Sequence, residues 1–186
     1  MKTEQEIIDF LENAVTLSIK DEIPELFFPF DDKNWGALYL KGGASACGIF
    51  AASFLRFLGL TDPELMKPYQ KQIGMAVSNV VTIGRRHNAL VSKSDLLAYP
   101  NPGDIVVIGT NGNEHVLCCV KSEASTGLLI SSDSGQATAN TMALRSRMMI
   151  FWNGLAYLVD PTTPYKNNIP NGRVISYRLD IDKINL

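Results

Sequence analysis

The sequence predicts an α+β fold, with helices first and an antiparallel sheet afterwards. Up to about residue 98 the apolar residues recur at helical spacing or fill whole helical segments. From "NPGDIVVIGTNGNEHVLCCVKSEASTGLLISSDSGQ" onward, short β-branched runs alternate with Gly, Asn and Ser, which is the grammar of strands joined by tight turns. No internal repeat and no Pro-, Gly- or Ser-rich linker divides the 186 residues, so a single domain spanning 1–186 is expected. A chain of this length buries roughly 70% of its unfolded surface, enough for a substantial core.

The elements follow in order. Thr3 and Glu6 form a capping box, after which Ile7, Phe10, Leu11, Ala14 and Val15 recur at helical spacing and define a first amphipathic helix. The stretch "DEIPELFFPFDDKNWGALYLKGG" interrupts that pattern with prolines, an acidic pair and glycines, and reads as an irregular connection. A second helix is predicted over about 45–58, where Phe50, Phe54, Phe57 and Leu58 form one stripe and only Ser53 and Arg56 are polar. Such a helix is buried all round. Gly59 is placed to end it, Asp62 and Pro63 resemble the cap and first position of a third helix to about Gln72, and further short helices are expected within 75–98. Strands are predicted near 104–109, 115–121 and 127–133, followed by a hairpin at Asn153-Gly154 and a last strand in "RVISYRLDI".

Composition excludes several classes. With 46% hydrophobic and 19% charged residues the chain is neither disordered nor membrane-spanning. Seventeen basic residues against nineteen acidic ones, scattered rather than clustered, give no surface for a phosphate backbone. Neither nucleic acid nor membrane is therefore expected as a partner. The opening "MKTEQEIIDFLENAV" carries acid where a signal peptide carries a basic flank, so cytoplasmic synthesis and another export route are expected. Three cysteines, two of them adjacent at Cys118 and Cys119, do not make a disulfide framework, and two histidines without a spaced cysteine pair do not make a zinc site. No cofactor or metal is expected.

Cys47 is the distinctive residue. Free cysteine commonly packs as a small hydrophobe, but a thiol in the first turn of a buried helix lies on unsatisfied N–H groups and the positive end of the macrodipole, where a thiolate is stabilised. The same N–H groups can bind an oxyanion on a carbonyl attacked by Cys47, and Ala44, Ala46 and Gly48 leave room for its approach. Its base must be His87 or His115. His87, in "GRRHN", fits a polar loop or helix end, whereas His115 opens an apolar strand and projects from a sheet rim. A five-residue loop over 122–126 would pair Lys121 with Gly127, Cys119 with Leu129, Leu117 with Ser131 and His115 with Asp133, placing a carboxylate beside the imidazole. Nucleophile, base and orienter are then Cys47, His115 and Asp133.

These features resemble the papain-like cysteine peptidases and amidases of the NlpC and CHAP type over roughly residues 35–135. The matching parts are Cys47 at the start of a buried helix, "PGDIVV" at 102–107, His115 opening the next strand, and Asp133 on the strand after it. The tail "SDSGQ…RSR…GRVISYRLDIDKINL" is similar, more loosely, to members found in phages and among toxins injected between bacteria. The resemblance implies a papain-like fold and hydrolysis of amide bonds, typically in peptidoglycan stem peptides, with Cys47, His115 and Asp133 as the catalytic residues. It also matches Tyr39 to a tyrosine that in some members helps bind the oxyanion. Tyr39, Ser45, Gly48 and Gln136 are the candidate substrate-binding and oxyanion positions. Two departures stand out: "SACG" replaces the Asp-Cys-Ser usual in NlpC-type members, and the orienter there is often a second histidine. An antibacterial effector or phage lysis protein, delivered by an injection machine and paired with an immunity protein, is the first expectation. The alternatives are a deamidase, transglutaminase-like enzyme or acyltransferase acting on a protein, and an inactive binding module.

Overall fold

In the computed structural model, residues 2–19, 46–62, 77–110, 113–134 and 142–184 are described. The fold is α+β, with three α-helices among the described residues and an antiparallel sheet. The helices are α1 (Glu4–Ile19), α2 (Ala46–Phe57) and α3 (Val77–Arg86). The strands are β1 (Ile105–Ile108), β2 (His115–Glu123), β3 (Leu128–Ser134), β4 (Met142–Trp152), β5 (Leu155–Val159), β6 (Tyr165–Lys166), β7 (Ile169–Pro170) and β8 (Gly172–Leu179). Strands β1-β2-β3-β4-β5-β8 close into a barrel, all neighbours antiparallel, while β6 and β7 form a separate small hairpin. The closure was not legible in the sequence; it leaves no free edge in the main sheet.

Local signals account for most element ends. The α1 capping box is complete: the Thr3 amide donates to the Glu6 carboxylate at 2.8 Å and the Glu6 amide to the Thr3 hydroxyl at 3.2 Å. Gly59, at φ +103°, ends α2, and the Leu60 amide turns back onto the Leu55 carbonyl at 3.0 Å. The two-residue loop between β4 and β5 has Asn153 and Gly154 both at positive φ, the type I′ geometry that Asn-Gly favours. Of the range 75–98, the described residues 77–98 hold one α-helix, α3, and a short 3-10 turn at Asp95–Leu97. The third helix expected after Pro63 lies outside the described residues.

Strand alternation divides the interior into two cores. On the outer face of β1 and β2, Ile105, Val107, Val116, Cys118 and Val120 pack against Ile7, Leu11, Phe50, Phe54 and Leu55 of the helices. Inside the barrel, Val106, Ile108, Leu117 and Cys119 meet Leu129, Met149, Leu158 and Ile175. Cys118 and Cys119 thus point to opposite faces, as adjacent strand residues must. Residues 50–55 of α2 are all buried, including Ser53, so this helix is enclosed over its central turns. Phe10 of α1 stacks on Phe57 of α2 with ring centroids 4.1 Å apart.

The "PGD" stretch is a structural clasp. Pro102 and Gly103 occupy the centre of a turn closed by the Asp104 amide on the Asn101 carbonyl at 3.0 Å. Gly103 has φ +89°, and a Cβ there would lie 2.3 Å from Ile181 Cδ1, so Gly103→Ala is expected to lower stability by about 1–3 kcal/mol in a urea titration. The buried Asp104 carboxylate accepts the amides of Asn101 at 2.9 Å and Ile181 at 3.3 Å, with Arg178 at 3.7 Å. Burial outweighs these partners and pushes its pKa up from 3.8 to about 6. Because the folded value is the higher one, its contribution is fully present below about pH 4 and is lost as pH rises to about 6, a change of at most about 3 kcal/mol. Unfolding free energies of wild type and Asp104→Asn measured across that window should diverge with this sign; parallel curves would refute it.

Candidate active site

Cys47 stands in the first turn of α2, and His115 is the first residue of β2. The helix packs over β2 and β3, so the thiol comes to the end of the sheet where β2 starts and β3 finishes. The Cys47 side chain hydrogen-bonds the His115 ring. The ring also places Nε2 2.9 Å from Oδ2 of Asp133. Three side chains from α2, β2 and β3 are therefore in series. Cys47 is 9% exposed, His115 3% and Asp133 1%.

The contact between His115 and Asp133 forms, but through a different register from the one the loop length predicts. The turn has four residues, 124–127, and the hairpin closes on Glu123 opposite Leu128, with Ser122 opposite Leu129 and Lys121 opposite Ile130. Continued unchanged, that register would place Asp133 opposite Cys118, on the face away from His115. The ladder instead shifts between Cys119 and Lys121, where Val120 is the extra residue of a β-bulge, and resumes with Cys119 opposite Ser131 and Cys118 opposite Ser132. The bulge restores the parity, so Asp133 shares a face with Leu117 and His115. The two residues are diagonal rather than directly opposite, and the imidazole is long enough to cross that diagonal.

Two residues that the sequence reading did not assign complete the site. Arg147 of β4 donates through Nη2 to Asp133 Oδ2 at 2.8 Å and through Nη1 to Oδ1 at 3.2 Å, and it also reaches the Ser131 hydroxyl. Ser131 in turn donates to Asp133 Oδ1 at 3.0 Å. Arg145 lies further off, with Nε 3.6 Å from Oδ2. The available signal was the "RSR" spacing, since two arginines two apart on a strand share one face, and here that face looks into the barrel.

Electrostatics follow from these contacts. Burial alone would raise the pKa of Asp133, but the hydrogen bonds and charges of His115 and Arg147 outweigh it and hold the carboxyl below its ordinary value. Burial alone would lower His115, yet hydrogen bonds to Asp133 and Cys47 and their negative charge outweigh it and raise the imidazole above 6.5. A protonated ring beside Cys47 favours the thiolate. Burial puts the Cys118 thiol well above 9.0 and pushes Cys119 up to about 12.

Among the remaining candidates, Gly48 follows Cys47 in the first turn of α2 and is buried, while Tyr39, Ser45 and Gln136 lie outside the described residues. His87 follows the end of α3, with Nε2 3.1 Å from the buried Asp62 carboxylate, which Arg86 also contacts. It belongs to a separate cluster. Among the described residues no three His, Cys, Asp or Glu side chains converge to hold a metal ion, and no helix is long and apolar enough to cross a membrane. Comparisons with protein-family models, curated proteins and solved structures returned no match.

Proposed function

We propose that this chain is a cysteine-dependent amide hydrolase with a papain-like fold of the NlpC and CHAP type, acting on peptidoglycan stem peptides through an acyl-enzyme. The observation that carries the reading is the series Cys47, His115, Asp133, in which the ring interacts with the thiol and its Nε2 is held by a buried carboxylate. That arrangement fits a thiolate–imidazolium pair. The Cys47 sulfur attacks the amide carbonyl and forms a C–S bond, and the electron pair moves to the carbonyl oxygen. Amides at the α2 N-terminus would stabilise this oxyanion. On collapse, His115 gives its proton to the leaving amine as the C–N bond breaks, leaving a thioester. His115 then takes a proton from water, whose oxygen attacks the thioester; the acid is released and Cys47 is regenerated.

Delivery as an antibacterial effector or in phage lysis suits the resemblance of the tail, and an immunity protein would be its natural antagonist. The test is incubation of the purified protein with muropeptides of several wall types, read by mass spectrometry. Cleaved stems that require Cys47 support the proposal, and no product from any wall type overturns it.

A further inference from the structure

A second feature shares the end of the barrel that holds Cys47 and His115. The antiparallel order brings the end of β1, the start of β2, the end of β3, the start of β4, the end of β5 and the start of β8 to one rim. At this rim lies a cavity of about 230 Å³, walled by Ile108, Leu158 and Arg147, with Arg145, Arg173 and Asp160 around it. Arg147 therefore has two surroundings: it grips Asp133, and it lines the cavity.

The charges of the cavity are not balanced from within. Arg147 is committed to Asp133 and Ser131. Arg145 is 35% exposed at the side chain; its Nε is buried without a hydrogen bond and its nearest carboxylate oxygen is 3.6 Å away. Among the described residues Arg173 forms no ion pair. Asp160 offers one carboxylate, whose Oδ1 accepts the amide and hydroxyl of Thr162 at 2.7 and 2.6 Å, and it can offset only one of these cations. Two guanidinium groups thus remain to share a planar oxyanion, which is the geometry arginine recognises best.

Ile108 and Leu158, both 4% exposed, supply an apolar wall beside those cations. The volume equals roughly eight water molecules, enough for a carboxylate on a short aliphatic stem. We infer that this cavity binds a short aliphatic carboxylate through Arg145 and Arg173, and that in the reaction it receives a free carboxylate of the peptide whose amide bond is cut; the second clause rests on the hydrolase reading above. The site would select acidic peptides over their amidated counterparts, because an amide leaves the guanidinium charges without a counterion.

Binding and turnover are tested separately. At constant ionic strength, calorimetric titration of the full chain with glutarate should show saturable binding, and neutral glutaramide should show none. Arg173→Gln and Arg145→Gln should each weaken glutarate by about 10- to 100-fold, the loss expected for a hydrogen bond to a charged group. Inorganic phosphate that binds more tightly than glutarate and displaces it would overturn the carboxylate assignment, as would glutarate binding that both variants retain or that never saturates. With muropeptides, Arg173→Gln should raise KM by about tenfold or more for stems with a free carboxylate and leave KM for amidated stems unaltered. Cleavage with KM unaffected for both stems would sink the substrate role while sparing the hydrolase reading. Saturable, arginine-dependent glutarate binding without any stem cleavage would sink the hydrolase reading and leave the cavity's ligand class standing.

Discussion

Replacing Cys47 with alanine is expected to lower amide hydrolysis by about 10⁴- to 10⁶-fold while changing stability by no more than about 1 kcal/mol. The first figure is the cost of removing the nucleophile from a triad, where oriented donors and substrate binding alone still give residual catalysis. The second reflects the small volume of the thiol and its place in the first turn of α2, at the edge of the core cluster that contains Phe50, Phe54 and Leu55. The wild-type enzyme offers a test that needs no substrate. Iodoacetamide should alkylate Cys47 orders of magnitude faster than the other thiols, because Cys119, at about 12, is ionised to only about one part in 10⁵ at pH 7 and Cys118 lies well above its ordinary value. Mass spectrometry of a time course resolves the three sites. Equal rates would refute an activated Cys47, and His115→Ala should bring its rate down toward that of an ordinary thiol.

The helical half was legible where caps and apolar spacing are local. Thr3 with Glu6, the apolar run of α2 and the stop at Gly59 are each decided within a few residues of chain, and each stands where the pattern put it. The series Cys47, His115, Asp133 was legible for a related reason. A helix N-terminus, a strand start and a strand end are all places where the chain exposes side chains at the boundary of a regular element.

The partial failures lie where parity and closure decide. The β2–β3 pairing was read from a loop of five residues with no bulge; the chain uses a turn of four and a bulge at Val120, and the two changes combine to keep Asp133 on the face of His115. Nothing in "CCVKSEASTG" distinguishes those routes, since Val120 has the same β-branched character as a regular strand residue. Barrel closure, which turns Arg145 and Arg147 inward, depends on β8 meeting β1 across some seventy residues, a pairing that no local spacing encodes. Arg147 was therefore missed as the partner of Asp133, although its strand was present in the pattern.

That partner makes Asp133 the residue whose loss should do the most combined damage. Asp133→Ala removes the acceptor of His115 and leaves the guanidinium of Arg147, 12% exposed at its side chain, without its carboxylate. Breaking a buried pair from one side costs about 3–5 kcal/mol, on the order of 10 °C in Tm for a chain of this size. Activity should fall at least about 10³-fold, because the imidazole loses both orientation and charge support. Asp133→Asn separates the two effects. It can still present Oδ1 to His115 Nε2, but its amide then faces Arg147 as donor against donor, so orientation is kept and charge is lost. Activity should lie between wild type and Asp133→Ala. The pH profile should move as well: the Asp133 carboxylate holds the imidazolium above 6.5, so in Asp133→Asn the alkaline limb of amide hydrolysis, which needs the His115 proton for the leaving amine, shifts to lower pH. In stability the two groups act with opposite signs. The depressed Asp133 contributes above its unfolded pKa and loses this as pH falls through its folded value, whereas the raised His115 contributes below about 6.5 and loses this as pH rises through its folded value. An alkaline limb that stays in place in Asp133→Asn would show that Asp133 does not act through the ring of His115.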